Sequence, residues 1–157
     1  MEMRKAFASF MMDNMANDWR LCVLDADLAN ADGTLALRKT YPERAFDVGI
    51  AEQNMASIAA GMSSYGFIPF ITTFACFASR RICDQIAISC AYAKQNVKIV
   101  GTDPGVTAEI NGGTHMAIED IGVLRSIPNI VIFEPCDEAE LVTALPQIIE
   151  HQGPVYI

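Results

Sequence analysis

The chain has 157 residues and a formal net charge of −8; 52% of its residues are hydrophobic and only 19% are charged. An acidic chain without a basic cluster has nothing with which to displace counterions from nucleic acid, and no apolar run reaches the roughly 18 uncharged residues that a membrane span needs. The five cysteines form no C-x-x-C pair and are odd in number, so neither a zinc knuckle nor a disulfide framework is written in. The start, MEMRKAFASFMMDN, has no signal-peptide core, because Asp13 interrupts its apolar residues; a cytoplasmic protein is expected. So much apolar surface on one domain of ordinary size also predicts a face that sticks to another chain.

Residues 4–15 carry apolar side chains at helical spacing, and residues 21–24 (LCVL) read as a compact strand ending near the acids Asp25 and Asp27. Residues 29–35, rich in Ala, Asn, Asp and Gly, predict a loop, and Pro42 bars a regular helix ahead of a strand at 45–48. A helix of very small residues follows at 52–65, opened by Glu52. The next strand, 68–72, is β-branched and carries Pro69 at its start; a long helix is predicted over 75–93. Its Cys76, Cys83 and Cys90 recur every seventh residue, which places them on one face as small hydrophobes.

The cleanest buried strand is 97–100. A polar, glycine-containing loop over 101–114 leads to a helix at 117–126, with Glu119 and Asp120 in the first turn, where the helix dipole favours acids. Residues 130–133 form a strand, Asp137 caps a helix running to about 151, and 155–157 begins a last strand. Apolar strands separated by helices imply a doubly wound, mainly parallel sheet covered on both faces, an α/β fold. Ligands in such sheets gather past the carboxyl ends of the strands. The chain reads as one domain over 1–157, without repeat or linker, and the strand that starts at 155 predicts a further C-terminal domain beyond it.

Glu52 sits among Met55, Ala56, Ile58, Ala59, Ala60, Gly61 and Met62, which leave its helix almost no polar side. Taken alone, an acid in a first turn simply complements the dipole. In a helix covered by a partner subunit as well as by its own sheet, desolvation would instead favour the protonated carboxyl and make Glu52 a proton donor.

GIAEQNM, followed by ITTFACF and then by GGTH-x-x-IED-x-x-x-x-RSIPN, resembles the pyrimidine-binding domain of transketolases, over nearly the whole chain. The resemblance implies a thiamine-diphosphate-dependent transfer of two-carbon ketol units between sugars. It implies that Glu52 shares a proton with a ring nitrogen of the cofactor's aminopyrimidine, and that Phe74 and Phe77 enclose that ring. Asp27 matches an acid near the cofactor and the subunit interface, and His115 a histidine facing the sugar hydroxyls, able to trade protons with a developing oxyanion. Arg4 falls on an arginine that grips the sugar phosphate.

Three positions depart from the family pattern. Ala31 stands where a phosphate-binding serine is usual, Asp103 where a phosphate-facing histidine is, and Asn111 where an aspartate recognises a sugar hydroxyl. An aspartate beside a phosphate dianion is repulsive, so an altered donor is expected, unphosphorylated at the usual end or branched. The family's Gly-Asp-Gly diphosphate motif is absent here, which predicts no metal ligands in this chain. It predicts instead a separate N-terminal subunit holding the diphosphate with Mg2+ or Ca2+, and an inactive isolated chain that also self-associates. Deoxyxylulose-phosphate synthase and the beta subunit of 2-oxoacid dehydrogenases share the domain, but RSIPN with GGTHM favours transketolase. A non-enzymatic α/β binding module would ask nothing special of Glu52 or the two phenylalanines.

Overall fold

A computed structural model describes all residues, Met1–Ile157. Six parallel strands form one sheet in the order β2-β1-β3-β4-β6-β5: β1 (Leu21–Asp25), β2 (Ala45–Asp47), β3 (Ile68–Phe74), β4 (Lys98–Thr102), β5 (Val131–Ile132) and β6 (Val155–Tyr156). The doubly wound α/β fold expected from the alternation of strands and helices is the one observed. Side chains alternate across it with the period of two that a pleated strand imposes. Leu21, Val23, Phe70 and Val100 pack on one face with α1 (Met3–Met15) and α7 (Glu138–Glu150), while Cys22, Leu24, Ile71 and Ile99 pack on the other with α4 (Glu52–Ser64).

The buried residues of α4 are Glu52, Met55, Ala56, Ala59 and Ala60, a stripe at i, i+3, i+4, i+7 and i+8. Small side chains there let the helix lie close on β1 and β3. Asp137 caps α7 as its sequence implies, accepting from the Glu140 N–H at 2.9 Å while Glu140 reaches back to the Cys136 N–H at 2.7 Å. Pro69 lies inside β3 rather than breaking its start. It costs no ladder bond, because the Ile68 N–H faces Arg20 beside β1, Pro69 faces the opposite side, and pairing with β4 begins only at Phe70↔Lys98.

Several boundaries differ from the sequence expectations, each for a tertiary reason. Residues 29–35, expected as loop, form α2 (Ala29–Asp32) and the start of α3 (Leu35–Thr40); both helices are too short to announce themselves by periodicity and are held by burial of Ala29, Asp32 and Leu37. The helix expected over 117–126 is only α6 (Asp120–Leu124), because Ala117 is taken into a bridge with Gly105. The long helix expected over 75–93 is broken at Ile82. Two π-helical segments, Phe77–Arg81 and Ile86–Tyr92, flank the one-turn α5 (Cys83–Gln85).

The wider π winding shifts side chains off the heptad face. Cys76 joins Phe74 and Ala117 in one cluster, whereas Cys90 sits with Met55 and Ile86 in another. At the crossing of β3, β4 and β6 only glycine fits position 101: a Cβ there would lie 2.5 Å from the Tyr156 hydroxyl and 3.0 Å from the Ala75 Cα. The order β2-β1-β3 reverses direction at β1, so the loops leaving β1 and β3 open a crevice at the carboxyl end of the sheet.

Candidate functional site

Glu52 begins α4 just after Gly49, which turns the chain at φ 75° with its N–H donated to Asp47 Oδ1 at 2.8 Å. The glutamate is 4% exposed. Its Oε1 accepts a 2.6 Å hydrogen bond from Arg81 Nη1, and the Arg81 guanidinium lies over the ring of Phe77, 3.7 Å from the centroid. The Gln53 amide nitrogen donates to the Arg81 carbonyl at 3.2 Å and fixes the backbone behind it. Phe77 and Arg81 stand four residues apart on one helical segment, which puts the ring and the guanidinium side by side.

Phe74 ends β3, and its ring centroid is 6.0 Å from that of Phe77. His115 presents its edge to both, with centroids 5.9 Å from Phe74 and 5.3 Å from Phe77. Arg80 ties the histidine's loop to the same segment by donating to the Thr114 carbonyl at 3.0 Å and pairing with Glu119. Glu119 and Asp120 are therefore committed to tertiary partners rather than to a helix dipole: Asp120 is buried and accepts from the Tyr156 hydroxyl at 2.8 Å. Glu52, the Phe74 and Phe77 pair, and His115 thus come together from three separate stretches of sequence.

A second group of residues lines a cavity of about 510 Å³ at the carboxyl ends of β4, β5 and β6. Arg4 and Asp103 both border it, together with Glu2, Asp32, Asp120 and Glu134. One arginine faces five carboxylates. Arg4 is itself half committed, donating to the Ala31 carbonyl at 2.9 Å and to Glu2 at 3.1 Å. Asp27 and Asn111 enter neither set of side-chain contacts. Both are exposed, Asp27 at φ 62° with its N–H on Asp47 Oδ1 at 3.0 Å. The two groups meet at Ala31, which packs with Leu28 against the Phe74 and Phe77 cluster.

The residues that sequence reasoning missed are Arg81, Arg80, Gln53 and Asp32. Two adjacent arginines in an otherwise apolar segment, the second of them four residues after Phe77, were the available signal. Asp32 is 1% exposed and accepts from the Thr102 hydroxyl at 2.7 Å, while its Oδ2 has no partner. Burial raises its pKa to about 6, against the lowering effect of that hydrogen bond. A carboxyl whose folded pKa lies above its unfolded one contributes stability that is full below about pH 4 and is lost as pH rises through 6. Asp32→Asn should therefore gain on the native chain by about 2–6 °C in melting temperature between pH 4 and pH 7. Parallel melting curves that keep a constant offset across that range would contradict the assignment.

A parallel sheet whose switch-point end carries a buried acid beside paired aromatic rings defines an α/β domain with its ligand site at the strand ends. The chain belongs to the transketolase pyrimidine-binding domain family, whose family model matches residues 1–157. It is 49% identical over 155 residues to the 6-deoxy-6-sulfo-D-fructose transketolase subunit SqwH of Clostridium sp. (strain MSTE9), covering 99% of this chain and 48% of that protein. Among solved structures, a split-gene transketolase in an inactive beta4 tetramer superposes with a TM-score of 0.87 at 40% identity, covering 100% of this chain and 50% of that one. The transketolase of Campylobacter jejuni superposes with a TM-score of 0.87 at 26% identity, over 98% of this chain and 24% of that one. The chain thus spans about half the length of the split relatives it matches.

Proposed function

We propose that this chain is the pyrimidine-binding half of a thiamine-diphosphate-dependent transketolase, transferring two-carbon ketol units when paired with a diphosphate-binding subunit and inactive alone. The observation that carries the reading is the buried Glu52 beside the Phe77 ring, bridged by one flat, hydrogen-bonding group. The guanidinium that fills that position is a planar group stacked on an aromatic face and hydrogen-bonded to the carboxyl group. An aminopyrimidine is also planar and can hydrogen-bond there, its ring nitrogen accepting where the guanidinium donates, which supports a fit of these residues to the cofactor. When bound, thiamine diphosphate supplies the carbanion chemistry that ketol transfer needs.

This chain's part is to orient and to move protons. Glu52 would hold a proton against the ring nitrogen, Phe74 and Phe77 would exclude water from both faces, and Asp27 would border the cofactor from its turn. His115, edge-on to both rings, would stand toward the reacting sugar and exchange protons with its hydroxyls. The diphosphate and its Mg2+ or Ca2+ would be held by the partner subunit.

For the sugar end, Arg4 and Asp103 share one cavity while Asn111 stays exposed outside it. The carboxylates around Arg4 support a donor that is unphosphorylated at the usual end, or branched. Uncovered Ile50, Ile58, Tyr65, Ile88 and Tyr92, on and around α4 and the second π segment, support self-association. No helix of the chain is long and apolar enough to cross a membrane.

The test is reconstitution. Mixing the full-length polypeptide with a subunit carrying the Gly-Asp-Gly motif should give cofactor-dependent ketol transfer, and neither alone should. Transfer by the mixture without thiamine diphosphate, or none with any ketose, would remove the reading. Turnover of xylulose 5-phosphate as efficient as that of ordinary transketolases would remove the altered-donor part alone.

A further inference from the structure

Arg81 holds a place that the proposed function needs for something else. Its guanidinium lies flat on Phe77 at 3.7 Å and donates to Glu52 at 2.6 Å. One face of one ring and one buried carboxyl group cannot serve two planar groups at once. We propose that Arg81 is a gate on the cofactor seat: it occupies the position of the aminopyrimidine between Glu52 and Phe77, and it must swing out for that ring to enter. The inference rests on the reading that this chain binds thiamine diphosphate, and it adds a residue and a cost that the reading does not contain.

The geometry makes the movement feasible. The Arg81 side chain is 41% exposed, against 4% for its partner Glu52, so its route outward leads directly into water. Its only hydrogen bond from the side chain is the one to Glu52. The backbone need not move, because Gln53 holds the Arg81 carbonyl at 3.2 Å independently of where the side chain points. Arg80 cannot take over the role, since its two terminal nitrogens are engaged by Glu119 and the Thr114 carbonyl.

Displacement leaves Glu52 free to hydrogen-bond the entering ring nitrogen, and no covalent bond forms or breaks. The cost falls on affinity: a stacked cation and a charge-assisted hydrogen bond, about 1.4 kcal/mol or tenfold in Kd, must be given up before the ring can bind.

Isothermal titration of thiamine diphosphate with Mg2+ into the assembled two-subunit complex tests this. Arg81→Met should bind about tenfold more tightly than native, and Arg81→Lys, which keeps the charge but loses the flat stack, should fall between them. In a Glu52→Gln background the Arg81→Met gain should shrink to less than about twofold, because a neutral amide holds the guanidinium weakly. Equal or weaker binding by both Arg81 variants would overturn the gate while leaving the proposed function intact, as would an undiminished gain in the Glu52→Gln background. No binding by any of the complexes would overturn both. If Arg81→Met fails to fold, the lysine variant decides.

Discussion

Glu52→Gln, introduced into the reconstituted two-subunit enzyme, is expected to cut cofactor-dependent ketol transfer by about 10²- to 10⁴-fold, the range that a single positioned acid–base group contributes. The substitution removes the ability to hold and release a proton and little else. The amide has the carboxylate's shape, and its oxygen can still accept from Arg81 Nη1, now at 2.6 Å from Glu52 Oε1. Glu52 is held out of water, only 4% of it exposed. The loss should therefore appear in kcat, with the far-ultraviolet spectrum and melting of the chain nearly unchanged. A glutamine variant that turns over as fast as native would show that Glu52 is only a first-turn acid and would remove the catalytic assignment.

Lys98→Met should produce the largest change in stability, and far from the site. Lys98 is fully buried at the start of β4, yet its ammonium is matched by three acceptors: Asn96 Oδ1 at 2.6 Å, the His151 carbonyl at 2.8 Å and the Gly153 carbonyl at 2.9 Å. These contacts pin the turn between α7 and β6 to the opposite end of the sheet from the cavity. Methionine fills similar volume but leaves the carbonyls without donors, which should cost about 2–3 kcal/mol in urea unfolding.

The pH dependence of that cost has a definite sign. Burial pushes the Lys98 pKa from 10.5 down to about 7, so between those values the unfolded chain binds a proton that the folded one has shed, and the native protein gains stability as pH rises. The difference between native and Lys98→Met should therefore widen from pH 7 to pH 10. A gap that stays constant over that interval would mean that the three acceptors keep the ammonium charged throughout.

Both effects turn on charged groups that the fold places inside; the apolar neighbours of Glu52 pointed to its burial, whereas nothing in the local sequence did so for Lys98. The LCVL and KIV runs, the helical stripe of residues 52–60 and the capping pair of Asp137 with Glu140 were legible because periodicity and capping act within a few residues. The motif GIAEQN located Glu52, and TF-x-x-F located the two rings, because those residue types stand at fixed short spacings. Lys98 showed only as a charged residue in an otherwise apolar strand, with nothing to announce three partners, two of them more than fifty positions away.

What the sequence determined by itself was the alternation of apolar strands with helices, and with it a parallel α/β sheet and the strand ends at which chemistry would gather. What only the tertiary structure decided was the company each side chain keeps. The packing of α4 against residues 77–81 brings Arg81 onto Glu52, and the register of β3, β4 and β6 closes a carboxylate-lined cavity around Arg4. Local preferences reach three or four residues along the chain, whereas desolvation and ion pairing depend on groups that meet only after the sheet has formed.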